Sequence, residues 1–315
     1  MADDLTPLDI RPHELALLVA GADSPAIAAL RRAIATHPAQ PLTLRCPVQS
    51  AYAYQNPATA DPSPLLLRAD LLLLQRLGLA PGDTRPAIDL LERLLERVTT
   101  LRDILWFETA TGEAWGLGLD AARAYEAGRA RGLGAWIPPR DPAEMARLKA
   151  ASAAAMLAAD TLEIRPHHLM CMACFFGNHS PLAPIAEDNL YEAIIAIQQR
   201  PDVPVRLVRG PCMICPPCPR YDAATRRCLG GSGMALRDEW KDLEVLRRLG
   251  MCYGDVMPGA ALFRRLFAAV PTTRDVCGYG EGVCRAPEWR VCGEADGSSA
   301  YERARAAGLG LATGI

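Results

Sequence analysis

The sequence lacks long hydrophobic runs. Its densest apolar stretches, residues 71–74 and 151–159, are much shorter than the about 18 apolar residues that a membrane-spanning helix needs. Residues 1–8 carry two aspartates and no basic segment, which is not the pattern of a secretory signal peptide. From these two absences we expect a cytoplasmic protein whose thiols are kept reduced.

An excess of charge of one sign is also lacking. The 34 basic and 36 acidic residues give a formal net charge of −2. This balance provides no electrostatic surface for nucleic acid and no polybasic patch for a membrane, so neither is an expected partner. The sequence also has no P-loop, no Rossmann fingerprint and no nucleophile elbow, and therefore no motif that identifies a nucleotide-binding enzyme or a serine hydrolase.

Cysteine is almost missing from the first half and abundant in the second. Of the 11 cysteines, Cys46 stands alone, and the other ten lie at or after Cys171. In a reducing compartment, clustered cysteines indicate metal ligands or redox groups before they indicate disulfides. We therefore looked for the cause of this asymmetry in the organisation of the chain.

Several short motifs occur twice, in the same order. The matching segments are 10–14 with 164–168, 76–78 with 248–250, 100–104 with 272–276, and 124–134 with 300–310. Matches that keep their order over a whole half predict a tandem duplication. The aligned positions of the thiols in the first copy are apolar or aromatic, so we expect that copy to fold without a metal.

The predicted fold is a helix-rich α+β class with two pseudo-symmetric lobes. We expect a metal-free lobe over residues 1–140, a helical linker over 141–160 and a cysteine-rich lobe over 161–315. Prolines and apolar periodicity predict helices that start near residues 12 and 166 and helices over 65–78, 86–99, 120–131, 236–250, 258–269 and 298–307. Alternating apolar residues predict strands over 41–46 and 203–209.

The most informative pattern is Cys212-x2-Cys215-x2-Cys218 followed by Pro219, with Cys228 ten residues after the third cysteine. Its first three positions have the spacing of a bacterial ferredoxin ligand run. Neighbouring thiolates in such a turn reach different irons of one cubane. Three thiols in seven residues therefore favour a cluster over a zinc knuckle, which typically takes two.

Two further groups of metal-ligating side chains accompany this run. Cys277, Cys284 and Cys292 are spaced along a glycine-rich segment. A third group begins with two adjacent histidines, and all its residues lie on one predicted helix: His167, His168, Cys171 and Cys174. His13 is the residue that corresponds to His167 in the copy without the clustered thiols. We therefore interpret His167 as a structural residue and His168 as the candidate for a metal-linked role.

Together these residues resemble the bacterial and archaeal family called domain of unknown function 1284, over about residues 162–293. The resemblance is carried by Ile-Arg-Pro-His-His-Leu at 164–169, Gly-Pro at 210–211, the Ile-Cys-x2-Cys-Pro of 214–219, and the residues Cys171, Cys228, Cys277, Cys284, Trp289 and Cys292. Members of this family are described as iron–sulfur-binding proteins.

The resemblance implies a thiolate ligand set of Cys171, Cys215, Cys218, Cys228, Cys277, Cys284 and Cys292. It leaves Cys174, Cys212 and Cys252 as extra thiols, and the closing pair is Cys-x6-Cys where the family has Cys-x2-Cys. We count Cys174 and Cys212 as candidate cofactor ligands, and we expect Cys46 and Cys252 to be small core residues. The expected cofactor is one or two iron–sulfur clusters, with [4Fe–4S] favoured.

Three functions remain open from the sequence. The leading expectation is a redox protein that passes electrons to a partner protein or assists a redox pathway. A structural zinc site in a scaffold or interaction protein is the main alternative, because zinc also takes four thiolates. The third is a cluster-dependent enzyme whose substrate the sequence does not identify.

Overall fold

The structure is a computed structural model of the 315-residue chain. It describes residues 5–47, 64–108, 114–116, 119–229, 235–277 and 297–311. The chain divides into two compact units, Met1–Pro139 and Arg140–Ile315, which we describe separately. The division assigns the helix that we predicted as a linker to the second unit.

The first unit combines helices with short strands. Its elements are β1 (Leu8–Ile10), α1 (Pro12–Ala20), α2 (Pro25–Thr36), β2 (Pro41–Leu44), α3 (Pro64–Leu77), β3 (Thr84–Pro86), α4 (Ala87–Arg97), β4 (Trp106–Glu108), β5 (Ala114–Gly116) and α5 (Leu119–Ala130). Its core is formed by leucines that are fully buried, among them Leu15, Leu42 and Leu73.

The second unit also combines helices with short strands, and it has one extra helix at its start. Its elements are α6 (Pro142–Ala158), β6 (Leu162–Ile164), α7 (Pro166–Asn178), α8 (Leu190–Gln199), β7 (Pro204–Leu207), β8 (Tyr221–Asp222), β9 (Arg227–Cys228), α9 (Ala235–Leu249), β10 (Val256–Pro258), α10 (Gly259–Ala269) and α11 (Ser299–Ala306). Within the described residues the helix-rich α+β class is confirmed, and the duplication stays a prediction.

Each unit has a three-stranded sheet with the same pairing. In the first unit β1 pairs with β2 in parallel and β2 pairs with β3 antiparallel. In the second unit β6 pairs with β7 in parallel and β7 pairs with β10 antiparallel. The outer strands β3 and β10 end in a proline, which a sheet edge tolerates because its N–H side needs no ladder partner. Neither of these two strands was predicted from the sequence.

A glycine allows two helices to approach closely in each unit. A Cβ atom on Gly128 of α5 would lie 1.9 Å from the carbonyl oxygen of Val19 in α1. A Cβ atom on Gly177 of α7 would lie 1.8 Å from the carbonyl oxygen of Ala300 in α11. Any larger residue at either position would force the helices apart, so these contacts fix the packing of α1 against α5 and of α7 against α11.

The start of α7 is fixed by a buried ionic triad. Asp242 of α9 accepts hydrogen bonds from the backbone N–H of His167 at 2.9 Å and from its Nδ1 at 2.8 Å. The guanidinium of Arg165 donates to the other oxygen of Asp242 from Nε at 3.0 Å and from Nη2 at 2.6 Å. The triad therefore sets the position of the residue that follows, His168.

The start of α1 is fixed in the same way. Asp70 of α3 accepts hydrogen bonds from the backbone N–H and the Nδ1 of His13, both at 2.8 Å. Arg11 pairs with the other oxygen of Asp70 from Nε at 2.8 Å and from Nη2 at 2.6 Å. The repeated Arg-Pro-His sequence is thus explained by helix anchoring in both units.

Among the described residues, no single helix is long and apolar enough to cross a membrane, and one sharply bent pair, α1 with α2, meets only the length and composition test.

Candidate metal centre

A loop between β7 and β8 carries three of the predicted cysteines. We call residues 211–221 the thiol loop. It folds as three consecutive turns, in which Cys215 N donates to Cys212 O at 3.0 Å, Cys218 N donates to Cys215 O at 2.8 Å, and Tyr221 N donates to Cys218 O at 2.9 Å. The three-residue spacing of the cysteines matches the turns, so each cysteine occupies the same place in its turn.

The thiol loop brings two of its cysteines to the histidine on α7. The Nδ1 of His168 lies 3.2 Å from the Sγ of Cys212, and that sulfur lies 3.9 Å from the Sγ of Cys215. Ligand atoms of the three residues lie within 4.8 Å of one another. Both cysteines are buried and His168 is half-buried. His168, Cys212 and Cys215 therefore form a candidate metal site.

The pKa values of the two thiols move in opposite directions. Burial raises the pKa of Cys212, but hydrogen bonds from the Cys215 thiol and from the backbone of Arg165 and Ile214 outweigh it, so the pKa lies below its ordinary value. The hydrogen bond to Cys212 and burial raise the pKa of Cys215 well above its ordinary value. Cys212 is thus the more acidic thiol of the pair, and a metal that binds both sulfurs displaces a proton less readily from Cys215 than from Cys212.

Two further thiols lie beside this site. The Sγ of Cys218 accepts a hydrogen bond from the backbone N–H of Arg220 at 3.4 Å, and burial raises the pKa of Cys218 to about 11. The negative charges of Cys215 and Cys228 also raise the Cys218 pKa. Cys228, on β9, lies with its Sγ 4.0 Å from the carboxylate of Asp238.

The cysteines on the other elements occupy different environments. On α7, Cys171 and Cys174 are half-buried, and the Sγ of Cys174 lies 3.8 Å from the hydroxyl of Ser298 at the start of α11. Cys277 is buried after α10, with its backbone N–H bonded to Thr273 O at 2.7 Å. Among the described residues, none of these three joins the group formed with His168. Cys284 and Cys292 lie outside the described residues.

The two cysteines that we predicted as core residues differ. Cys46 is fully buried, and its pKa is raised to about 11. Burial is the larger cause, and the negative charge of Asp70 is the second. The prediction for Cys252 is wrong, because the residue is exposed in the turn after α9, where its backbone N–H bonds the carboxylate of Asp255 at 2.8 Å. None of the nine described cysteines forms a disulfide bond.

His167 has the structural role that its counterpart His13 indicated. Burial lowers the pKa of His167 to about 4, so the ring is neutral and its Nδ1–H donates to Asp242. Burial favours the protonated carboxyl of Asp242, but hydrogen bonds and charges from His167 and Arg165 outweigh it and lower its pKa to about 2. Among the described residues, neither His167 nor Asp242 belongs to the group of ligand atoms formed by His168, Cys212 and Cys215.

Sequence reasoning missed three residues that support the site. Asp242 had a detectable signal, because it and Asp70 are both six residues before an Arg-Leu-Gly motif. Asn189 and Arg140 had none, because each contacts the thiol loop across a long sequence separation. The backbone N–H of Asn189 bonds Ile214 O at 3.2 Å, and its side chain donates to Met213 O at 2.8 Å.

The chain matches no family model, no curated protein and no solved structure. The resemblance to domain of unknown function 1284 therefore stays a prediction, and the chemistry of the candidate site is argued from its own residues.

Proposed function

We propose that the second unit binds a thiolate-ligated metal centre and that this centre is an iron–sulfur cluster with a redox role. The observation that carries the metal centre is the convergence of His168, Cys212 and Cys215, whose ligand atoms lie within 4.8 Å of one another. Thiolate and imidazole are soft ligands that suit zinc and iron–sulfur clusters rather than magnesium or calcium.

The number of donors supports the cluster. The candidate site has two thiols and an imidazole, and Cys218 and Cys228 lie close enough for their charges to affect one another. These five donors exceed the four that a tetrahedral ion takes, whereas a cubane uses four thiolates and leaves the imidazole as a neighbour.

The backbone around the sulfurs supports a redox role. Backbone groups of Arg165 and Ile214 bond the Cys212 sulfur, and Arg220 N–H bonds the Cys218 sulfur. Hydrogen bonds to ligand sulfurs are one of the main factors that set the reduction potential of a cluster. We therefore propose that the protein passes electrons to a partner protein or assists a redox pathway.

A single tetrahedral ion in a structural site is the second candidate. Two thiolates that bind one zinc ion at about 2.3 Å lie about 3.8 Å apart. The Sγ atoms of Cys212 and Cys215 are 3.9 Å apart, which fits that geometry. This separation favours zinc as the alternative occupant, in a scaffold without redox turnover.

The test is the metal and acid-labile sulfide content of anaerobically purified full-length protein, with absorbance spectra before and after dithionite. Iron and sulfide at about four of each per chain, with visible absorbance that fades on reduction, are expected for the cluster. One zinc and no sulfide would replace the cluster with the structural zinc site. A chain with neither metal, and with fully alkylatable thiols, would overturn both candidates.

A further inference from the structure

We propose that Arg140 is a positioning residue that holds the thiol loop in its metal-binding conformation. This inference rests on the proposed metal centre. Arg140 lies two residues before α6, the helix predicted from the sequence as a linker, and it reaches the loop across more than 70 positions of the sequence.

Arg140 bonds the backbone of the thiol loop at two places. Its Nη1 donates to the carbonyl oxygen of Pro216 at 2.9 Å and to that of Cys218 at 2.7 Å. Its guanidinium lies 5.8 Å from the centre of the Tyr221 ring, at the end of the loop. Its Nη2 pairs with Glu144 at 3.2 Å, and only 13 % of the side chain is exposed. The guanidinium is therefore held between the carboxylate of Glu144 and the backbone carbonyls of the thiol loop.

The composition of the loop explains the need for this contact. Pro216, Pro217 and Pro219 have no backbone N–H, so Cys218 is the one backbone donor among residues 216–219. Arg140 supplies two charge-assisted hydrogen bonds from outside.

The first half of the loop is anchored through the same helix. Asn189 is fully buried and donates from its side chain to Met213 O in the loop and to the hydroxyl of Ser152 in α6, the latter at 2.7 Å. Lys149 of α6 bonds the carbonyl oxygen of Asp188 and pairs with Glu192 at 2.6 Å. The segment from Arg140 through α6 therefore supports both halves of the thiol loop.

The experiment uses cobalt(II) as the probe on metal-depleted full-length chain, followed by thiolate-to-cobalt charge-transfer absorbance. The rate at which EDTA removes cobalt is measured for wild type, Arg140→Ala, Arg140→Lys and the control Arg147→Ala, which alters an exposed arginine of α6. We expect release about tenfold faster in Arg140→Ala, the size expected for loss of a charge-assisted hydrogen bond. Arg140→Lys should fall between, because lysine keeps the charge but not the planar donor group.

The proposal is separated from a general structural role by urea unfolding of the metal-depleted chains. Faster cobalt release at an unchanged unfolding midpoint supports positioning. Equal release in Arg140→Ala and wild type overturns it, and so does a loss of cobalt that only accompanies a lower unfolding midpoint. Arg147→Ala should match wild type in both measurements.

Failure of the proposed function gives a different result. If wild type holds no metal as purified and shows no charge-transfer band with cobalt, the metal centre is wrong, whatever Arg140 does. Alkylation of Cys215 and Cys218 by iodoacetamide in the metal-free chain then decides whether Arg140 holds the loop. Faster alkylation in Arg140→Ala than in wild type supports the contact, and equal rates overturn it.

Discussion

An arginine, a histidine and an aspartate anchor α1 in the first unit and α7 in the second, but the second unit has several thiols near this anchor and the first unit has only Cys46. In the first unit Glu14, which is the counterpart of His168, accepts the backbone N–H of Arg11 at 2.7 Å. In the second unit the backbone of Arg165 bonds the sulfur of Cys212 instead. One equivalent backbone group thus serves a helix cap in one unit and a candidate metal ligand in the other.

This difference separates the features that build the fold from the features that could bind a metal. The sheet pairing, the buried Arg–His–Asp triad and the glycine contact occur in both units, including the one with a single cysteine. The thiol loop, its support by Arg140 and the buried Asn189 are described in the second unit, and these are the features that a metal centre would need. The variants below test that separation, in order of decreasing expected effect.

The largest effect is expected for the thiols of the candidate site. Cys212→Ser or Cys215→Ser should remove most of the bound metal, because each supplies one of three converging ligand atoms. Cys252→Ser is the matched control in the same unit, and Cys46→Ser is the control in the other unit. Metal analysis of the purified proteins measures the effect, and wild-type metal content in both site variants would contradict the assignment.

Loss of the central aspartate should destabilise both units, but not equally. Asp242→Ala leaves Arg165 and His167 without their buried partner, which costs about 3–5 kcal/mol. Asp70→Ala should cost less, because the Arg11 side chain is 22 % exposed and water can solvate it, whereas that of Arg165 is 4 % exposed. Urea unfolding measures both free energies. Equal costs would show that the exposure of the arginine does not matter.

An exchange at the position after the triad histidine separates capping from metal binding. His168→Glu introduces the side chain that caps α1 in the first unit, so the unfolding free energy of the metal-depleted chain should stay within about 0.5 kcal/mol of wild type. Metal affinity should fall about ten- to hundredfold, as for loss of a supporting group around a metal. Chelator competition measures the affinity, and an unchanged value would remove His168 from the site.

The smallest effect is expected for a tyrosine that both units contain. Tyr125 donates to Val98 O and Tyr301 donates to Val270 O, both at 2.8 Å. Tyr125→Phe and Tyr301→Phe should each cost about 1 kcal/mol of unfolding free energy, the usual contribution of one hydrogen bond. Destabilisation by only one of the two would indicate that the units differ in their frameworks as well as in their thiols.

Local signals made much of the fold predictable. Prolines 12 and 166 occupy the first helical turn, where their missing N–H costs nothing, and α1 and α7 begin at those residues. The predicted helices at 86–99 and 258–269 correspond to α4 and α10. The edge strands β3 and β10 were missed because three residues ending in proline do not have a strand pattern. Their pairing is set by contact with β2 and β7.

The site was predictable only in its sequence-local parts. The three-residue spacing of Cys212 and Cys215 matches the turn that their backbone hydrogen bond closes. The correspondence of His13 with His167 indicated that His168 was the histidine to consider as a ligand. The contacts of Arg140 and Asn189 with the loop depend on how α6 and α8 pack, and short-range patterns contain no information about that. Cys174 and Cys277 cluster with the other thiols in the sequence, but among the described residues they lie outside the group formed with His168, and their ligand role stays a prediction.

The triad has a consequence for anyone who searches structures for enzymes by geometry. A buried aspartate bonded to a histidine, with a cysteine nearby, has the outline of a catalytic relay. In the second unit, however, Asp242 accepts four hydrogen bonds, two from His167 and two from Arg165, which fill the acceptor sites of a carboxylate. These four bonds hold the start of α7, so the outline has a structural explanation that needs no proton transfer. The same outline occurs around Asp70 in the unit with a single cysteine, where the aspartate holds the start of α1. A geometric search for catalytic relays would therefore find both groups, although the structure accounts for each as a helix anchor.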